Sequence, residues 1–447
     1  MQSATGSGVG RFLRSPGKAD VMASRSGQGR RGHGSPCPAG ILTTAALLAL
    51  WGIRGSSRKT MLRFLTHGLW LAPHRPLFFL AGLWAILVPS AWLLPLGMGV
   101  DALSWHRHEL LFGMGGAAVG GYLLTALPAW TGRVRVAPAT TGIMVALWLA
   151  GRLGFALGLP APFALPAATA YFLVLGGLLT WQVAGAGAWR KMPLALAPLV
   201  LGGIEALAIA GPGPASESLA QDMAPLFFAL LISLVGGRAL AAFTRHWAAA
   251  SGQPPPTEPR WLPGAGLLAL LLAIAALLLD RSGLAGPLLI VSGILNLARM
   301  GLWRSWRAGR YPALLLLHLA WLWLPLALIL AGLAQAPWAG LDMATALHAV
   351  TMGAMGTMML AIMGRAAMPR RGGRLAVSRP LALAFGLVSL ATLLRLLMCC
   401  VSMAGPATLL HLAASGWMAG WALFLWDFRH ALQGPVPRPV LSASSRA

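Results

Sequence analysis

The chain contains 447 residues, of which 57% are hydrophobic and only 10% are charged, and its mean hydropathy is +0.72. Soluble domains carry about 25% charged residues, so this composition excludes an ordinary soluble enzyme and a disordered tail. The net charge of +24 does not by itself indicate nucleic-acid binding, because the basic residues lie in short gaps between apolar runs and not on one solvated face. We therefore expect an integral membrane protein. Its three cysteines, Cys37, Cys399 and Cys400, exclude a disulfide framework and a zinc site made of cysteines alone.

Twelve apolar runs after residue 76 are long enough to cross a bilayer, which takes about 20 residues in a helix. They lack period-2 alternation, so we expect an all-α polytopic bundle and no closed barrel. Small residues such as Gly113, Gly116 and Gly120 would allow helices to approach closely. The predicted spans are residues 77–94, 109–127, 138–160, 162–184, 193–211, 219–243, 262–279, 283–303, 312–333, 342–368, 380–403 and 407–427.

The basic residues predict how the spans are oriented. From residue 54 onward, 23 Lys and Arg residues fall on one side of the predicted bundle, and Arg107 and Arg281 fall on the other. Cytoplasmic loops carry the excess of Lys and Arg, so both ends of the bundle are predicted to be cytoplasmic. The predicted domain covers residues 61–430, and residues 431–447 form a cytoplasmic tail.

Residues 1–60 differ from the rest because they are rich in Gly, Ser and Arg and hold one apolar stretch, near residues 40–53. A signal peptide would place its basic region directly before an apolar run near the start, whereas here about 40 mostly polar residues come before the apolar stretch. We interpret the segment as a disordered extension or as a start codon assigned too early, with Met61 opening the native chain. The alternative is a thirteenth, weak span, which would reverse the N-terminus.

Histidines at membrane depth are the main candidates for chemistry, because burying ionisable groups in lipid is costly and usually marks function. In Trp105-His106-Arg107-His108-Glu109, two imidazoles lie two residues apart. On a regular helix they would point about 200° apart and serve different sites. Only an irregular segment would let them bind one metal. The competing interpretation is a polar helix start solvated by water.

Two further histidines lie within predicted spans. His348 begins a stripe with Met352, Met355 and Met359 at helical spacing, which could bind copper through soft thioethers or could simply pack. His318 has no polar neighbour within a turn, so it is either a metal ligand or a donor to a carbonyl on a neighbouring helix. Histidines at two depths allow two metal centres, such as a haem and a copper ion.

Apart from Arg299 and Arg365, which are counted with the basic side, three arginines lie inside predicted spans and need partners. Arg152 and Arg395 could pair with haem propionates, and Arg152 could pair instead with Glu205, the one carboxylate deep within a span. Arg238 could extend to the cytoplasmic face. No nucleotide-binding motif accompanies the bundle, which excludes nucleotide-driven transport by this chain. Secondary transport stays open, although no repeat relates the first six spans to the last six.

Several of these segments resemble the NnrS family. They are Arg75-Pro76-Leu77; Trp105 to Gly113, including His106, His108 and Glu109; Gly121 to Gly132, ending in Trp130, Thr131 and Gly132; Gly237-Arg238 with Thr244 and Arg245; Pro312 to Trp323 around His318; and His348 to Met358 with Gly364-Arg365. The resemblance covers about residues 70–430. His411 matches none of these segments and is expected to be structural.

The resemblance implies a twelve-span bacterial inner-membrane protein that contains haem and copper and contributes to nitric oxide tolerance during denitrification. His106, His108, His318 and His348 would then be cofactor ligands, with Arg152 and Arg395 nearby and Met352 and Met355 as further copper ligands. Three departures from the family pattern occur. Ala129 and His246 stand where the family has Asn, and Pro369-Arg370-Arg371-Gly372 replaces Gly-His-Thr-Gly, so a ligand at that last position would be absent. No reaction follows from the resemblance. The alternative functions are a transporter or copper-delivery protein and, less favoured by the sequence, a membrane sensor.

The loop charges make the orientation testable with reporter fusions. Alkaline phosphatase, which is active only outside the cytoplasm, is expected to be active when fused after Arg281 and inactive when fused after Arg307. A fluorescent protein fused after residue 432 should fluoresce. The reverse pattern at both phosphatase sites would show that the orientation is inverted.

Overall fold

The computed structural model describes residues 68–90, 101–211, 213–398, 406–436 and 440. The predicted N-terminal extension, Cys37, Cys399 and Cys400 lie outside the described residues. The described chain is almost wholly helical, and its one sheet is a two-stranded antiparallel hairpin of β1 (Arg370–Arg371) and β2 (Arg374–Leu375). This confirms the prediction of an all-α polytopic bundle.

The long helices follow one another with short connections. They are α1 (His74–Ser90), α2 (Ala102–Thr131), α3 (Pro138–Ala156), α4 (Ala161–Gly185), α5 (Trp189–Ala210), α6 (Leu219–Ala250), α7 (Leu262–Leu278), α8 (Ser282–Leu302), α9 (Pro312–Leu333), α10 (Met343–Ala367), α11 (Arg379–Leu397) and α12 (Thr408–Leu432). Short 3₁₀ turns occur at Leu69–Leu71, Ser305–Arg310 and Pro337–Ala339. Ten of the described helices are long and apolar enough to cross a membrane, and α1 and α7, at 17 residues each, occupy the other two predicted spans.

The helix packing repeats every four helices. In each group the second helix packs against the first and the third, and the third packs against the fourth. The fourth helix of each group then packs against the first helix of the next, and α12 packs against α1, so the three groups form a closed ring. A repeat of four explains why the two halves of the sequence show no correspondence, since half of the chain contains one and a half repeats.

The second helix of every group lies innermost and contains a π-helical segment. These segments are Glu109–Met114 in α2, Ile232–Gly236 in α6 and Ala349–Gly356 in α10. α10 contacts both α2 and α6, and Phe228 of α6 packs against Gly115 of α2. Because π-helical turns often occur at functional sites, these three helices are the natural place to search for one.

Glycines allow the closest helix contacts, as predicted. The backbones of α8 and α9 meet at Gly286 and Gly332, where a Cβ on Gly332 would lie 2.6 Å from the carbonyl oxygen of Gly286. In α2, Gly120 accommodates the hydroxyl of Tyr171, which donates to the carbonyl of Gly116 at 3.0 Å. The absent side chains therefore bring backbones and aromatic rings into direct contact.

We expect Gly332→Ala to lower the free energy of unfolding by about 1–3 kcal/mol, because the new methyl group meets backbone that cannot move aside. The matched control is Gly301→Ala, since Gly301 lies in α8 with open space around its Cα, and it should be neutral or slightly stabilising. Thermal unfolding of both variants in detergent would measure the difference. Equal effects would show that the α8–α9 contact is not tight.

Candidate functional site

The first site is built at the start of α2, where a short regular helix leads into the π-helical segment. The Asp101 carboxylate accepts a hydrogen bond from the backbone N–H of Ser104 at 2.9 Å, which caps the α-helical turn Ala102–His108. Because this turn is regular, the side chains of His106 and His108 leave the helix in different directions. The structure thus follows the first of the two alternatives for this motif, and the two histidines serve different sites.

His108 belongs to a buried cluster of four ionisable side chains. Its Nδ1 lies 3.0 Å from Oε1 of Glu109, and its Nε2 lies 3.3 Å from Oε1 of Glu205. Arg152 bridges the same two carboxylates, at 3.0 Å to Glu109 and 2.6 Å to Glu205. The indole of Trp84 donates to the remaining oxygen of Glu109. The pairing of Arg152 with Glu205 was one of the two expected alternatives, whereas the pairing of Arg152 with Glu109 was not foreseen.

Charge balance explains how this cluster can be buried. Both carboxylates are fully buried, Arg152 supplies one positive charge, and a second positive charge is needed for neutrality. His108 supplies it if both ring nitrogens carry protons, and the positions of the two carboxylates favour that form because each ring nitrogen faces an acceptor. In this arrangement His108 presents no lone pair to a metal.

His106 faces α10 instead and forms a pair with His348. The two ring centroids are 6.4 Å apart and the ring planes are inclined by 28°. His348 ends the helical turn Met343–His348, and its Nδ1 lies 2.6 Å from the carbonyl oxygen of Ala344. Since a carbonyl only accepts, Nδ1 carries the proton and Nε2 keeps its lone pair. This hydrogen bond is of the kind that orients a metal-binding imidazole.

The two short turns that carry these histidines start in the same way. Asp342 caps the turn before His348 and accepts from both the backbone N–H and the hydroxyl of Thr345, each at 2.7 Å. Burial acts to raise the pKa of Asp342, but these hydrogen bonds outweigh it, so the pKa of the carboxyl is lowered. The cap is therefore charged at neutral pH and fixes the helix that presents His348.

Two cations lie beside the paired imidazoles. Arg395 of α11 and Arg107 of α2 are both close enough to His106 and His348 to interact with them electrostatically. Arg107 also donates to the side-chain carbonyl of Gln221 in α6. A site between α2 and α10 thus combines two imidazoles with two guanidinium groups, and Arg395 lies where an anionic group of a cofactor would be balanced. Its role toward a propionate stays a prediction.

The methionines of α10 lie further along the same helix. Met355 is buried, with its terminal methyl against Gly115 of α2, and Met352 is partly buried. The predicted stripe assumed regular α-helical spacing, but Ala349–Gly356 is π-helical, and the wider turn rotates successive residues away from one face. Among the described residues no group of three or more His, Cys, Asp or Glu side chains is arranged to hold a metal ion. Copper binding by Met352 and Met355 stays a prediction.

His318 occupies a separate, buried position in α9. Its Nε2 lies 3.0 Å from the hydroxyl of Thr244 and its Nδ1 lies 2.7 Å from the hydroxyl of Ser305. Both ring nitrogens are therefore engaged by hydroxyl groups of neighbouring segments, where the sequence suggested either a metal or a backbone carbonyl. Thr244 was among the motif residues, but Ser305 was missed, because its place in a 3₁₀ turn gives no periodic signal.

A second ion pair next to His318 was also missed by the sequence. Glu258, in the loop between α6 and α7, accepts from Arg299 at 2.6 Å and from the indole of Trp303 at 3.0 Å. Arg299 also lies over the rings of Trp303 and Trp321. Trp303 in turn meets the ring of His318 edge-on. Arg299 and Trp303 are four residues apart, so they lie on the same face of α8. This spacing was the only sequence signal that both could bind one partner, Glu258.

The remaining motif residues hold helix ends and loops together. Arg75 is buried and donates to the carbonyls of Gly68, Gln433 and Gly434, which joins the two ends of the described bundle. Gly132 ends α2 in the left-handed conformation, at φ 67°. Thr131 donates to the carbonyl of Leu127, and Trp130 lies under the ammonium group of Lys191. Arg365 donates to the carbonyl of Ala313 and covers Phe243, whereas Arg238 and Arg245 are exposed.

These features define a polytopic, all-helical membrane protein with a buried ion cluster and a histidine pair between two of its inner helices. The family model of the NnrS protein matches residues 68–435, so the chain belongs to the NnrS family. No curated protein matches the chain. The match begins after Met61 and includes both members of the histidine pair.

Removing one member of the buried cluster should strongly destabilise the fold. We expect Arg152→Met to lower the free energy of unfolding by about 3–5 kcal/mol, because Glu109 and Glu205 would be left with at most one positive charge, that of His108. Arg238→Met is the control, since that side chain is exposed on the neighbouring inner helix. Thermal unfolding in detergent measures both, and a similar stability for the two variants would contradict the proposed charge balance.

Proposed function

We propose that this protein binds haem within the membrane through His106 and His348, and that it acts in tolerance of nitric oxide in the bacterial inner membrane. The observation that carries the proposal is the histidine pair between α2 and α10. Two imidazoles on opposite sides of one metal, at about 2.0–2.1 Å from it, would place their ring centroids about 6 Å apart. The measured separation is 6.4 Å.

The ligand set favours haem over an ion held by protein alone. Haem brings most of the iron's ligands itself and would need only one or two imidazoles from the chain, which His106 and His348 would provide. The described residues offer two imidazoles here and no third His, Cys, Asp or Glu in the same group. Arg107 and Arg395 beside the rings are suited to pair with haem propionates.

Each chain residue has a defined part in this proposal. His348 would bind through Nε2 because its Nδ1 proton is held by the Ala344 carbonyl. His106 would bind from α2, and its direction is set by the regular turn that sends His108 into the ion cluster instead. When bound, ferrous haem would supply an iron atom for nitric oxide, which could bind only in place of one of the two histidines. A copper ion, implied by the family, would be bound by the soft thioethers of Met352 and Met355.

The test is an optical spectrum of protein purified in mild detergent after expression with haem supplied, together with iron and copper analysis. We expect a Soret band, sharp bands on reduction with dithionite and a change on addition of nitric oxide. His106→Ala and His348→Ala should each lose the haem spectrum while remaining folded. His411→Ala, at an exposed histidine on α12, should keep it.

Four results would overturn the proposal or one of its parts. If the wild-type protein contained no iron, it would not be a haem protein. If both histidine variants kept the wild-type spectrum, His106 and His348 would not be the haem ligands. If the folded haem protein showed no spectral change with nitric oxide in either oxidation state, its haem would not serve the proposed role. Copper that persists in a Met352→Ala, Met355→Ala variant would exclude the methionines as its ligands.

A further inference from the structure

A large cavity lies among the inner helices at the end of the bundle that bears the basic loops. Its volume is about 970 Å³, at the upper end of the range of small-molecule sites. The walls come from α2, α6, α9 and α10, together with the segments before α1 and after α12. They are mainly apolar, with Leu124, Leu240 and Phe243 among the larger side chains.

The cavity continues inward as a narrow cleft. A second cavity of about 90 Å³ shares Tyr122, Gly236, Met358 and Ile362 with the first, so the two adjoin. It reaches Met355 and Phe228, and its described lining is apolar apart from the Tyr122 hydroxyl. The two cavities are therefore a large vestibule followed by a small apolar extension, whose lining suits methylene groups.

Positive charge is concentrated at the wide end. Arg133, Arg135 and Arg365 line the vestibule, and none of its described lining residues is acidic. Arg133 is exposed, and its side chain donates to Gln182 at 2.6 Å. Arg135 reaches the carbonyl of Val436 at 3.2 Å. Basic pockets between membrane helices on the cytoplasmic side bind anionic lipid head groups.

We propose that this cavity binds an anionic amphiphile, with its carboxylate or phosphate at the three arginines and an acyl chain in the apolar extension. Each buried methylene adds about 0.8 kcal/mol of hydrophobic free energy, and charge-assisted hydrogen bonds from guanidinium groups hold the head group. A free fatty acid and an anionic phospholipid share this chemistry. The proposal does not rest on the histidine pair, because neither histidine lines either cavity, although Met355, a proposed copper ligand, lines the smaller one.

The test is native mass spectrometry of delipidated full-length protein with four probes. They are hexadecanoate with hexadecanol as its uncharged match, and phosphatidylglycerol with phosphatidylcholine as its zwitterionic match. We expect hexadecanoate or phosphatidylglycerol to bind about tenfold more tightly than its match, since a hydrogen bond to a charged group is worth 1.5 kcal/mol or more. Binding of hexadecanoate alone would identify a fatty acid site, and binding of phosphatidylglycerol alone would identify a phospholipid site.

Three variants locate the binding. Arg133→Gln combined with Arg135→Gln should weaken binding of the anionic probe about tenfold, and Ala239→Trp should weaken binding of every probe by occupying part of the vestibule. Arg190→Gln, at an exposed arginine outside the cavity lining, should leave it unchanged. Equal affinity for charged and uncharged probes, or unchanged binding to a folded Ala239→Trp variant, would overturn the proposal. Preferential binding of protoporphyrin IX at this site would also overturn it, because the extension would then not hold an acyl chain.

Discussion

The buried ion cluster at the start of α2 determines the geometry of the candidate haem site. Charged groups in a bilayer must be balanced where they lie, and Glu109 and Glu205 find their balance in Arg152 and His108. This joins α2, α3 and α5 around one set of contacts. Because His108 is committed to that side of the helical turn, His106, two residues earlier, is directed toward α10. A structural charge requirement shared by the first and second four-helix groups thus orients a candidate ligand toward the third group.

The π-helical segments contribute to the same geometry. One follows directly after His108, and another follows directly after His348. Each π-helical segment changes the rotation of the residues that follow it. The histidine turn and the glycine-rich stretch after it can therefore contact different neighbouring helices. In α2 that stretch receives the rings of Phe78, Phe172 and Phe228 from three other helices. The inner helices can therefore present polar groups at one level and pack closely at another.

Hydropathy predicted the helices well, because crossing a bilayer requires a long apolar helix whatever its neighbours are. Each of the twelve predicted spans coincides with a helix of the described chain. Contacts between helices were harder to predict from the sequence. The Arg152–Glu205 pair was foreseen because so few charges lie within the spans, but Glu258 and Ser305 lie in connections, where polar residues are ordinary. The four-helix repeat was missed, because the sequence was compared only between its two halves. The π-helical turns leave no trace in hydrophobic periodicity, so the methionine stripe in α10 was predicted from a spacing that the helix does not keep.

The closure of the ring by α12 on α1, with Arg75 binding the carbonyls of Gln433 and Gly434, has a consequence for how such a protein can evolve. A linear array of repeats can gain or lose a unit at either end, because its terminal surfaces are exposed. In a closed ring each four-helix group covers a surface of both neighbours, so a lost or added group would leave apolar helix faces unmatched or misaligned. The number of groups is thereby fixed at three. Change is expected instead within a group or in the loops, where the contacts between groups stay intact.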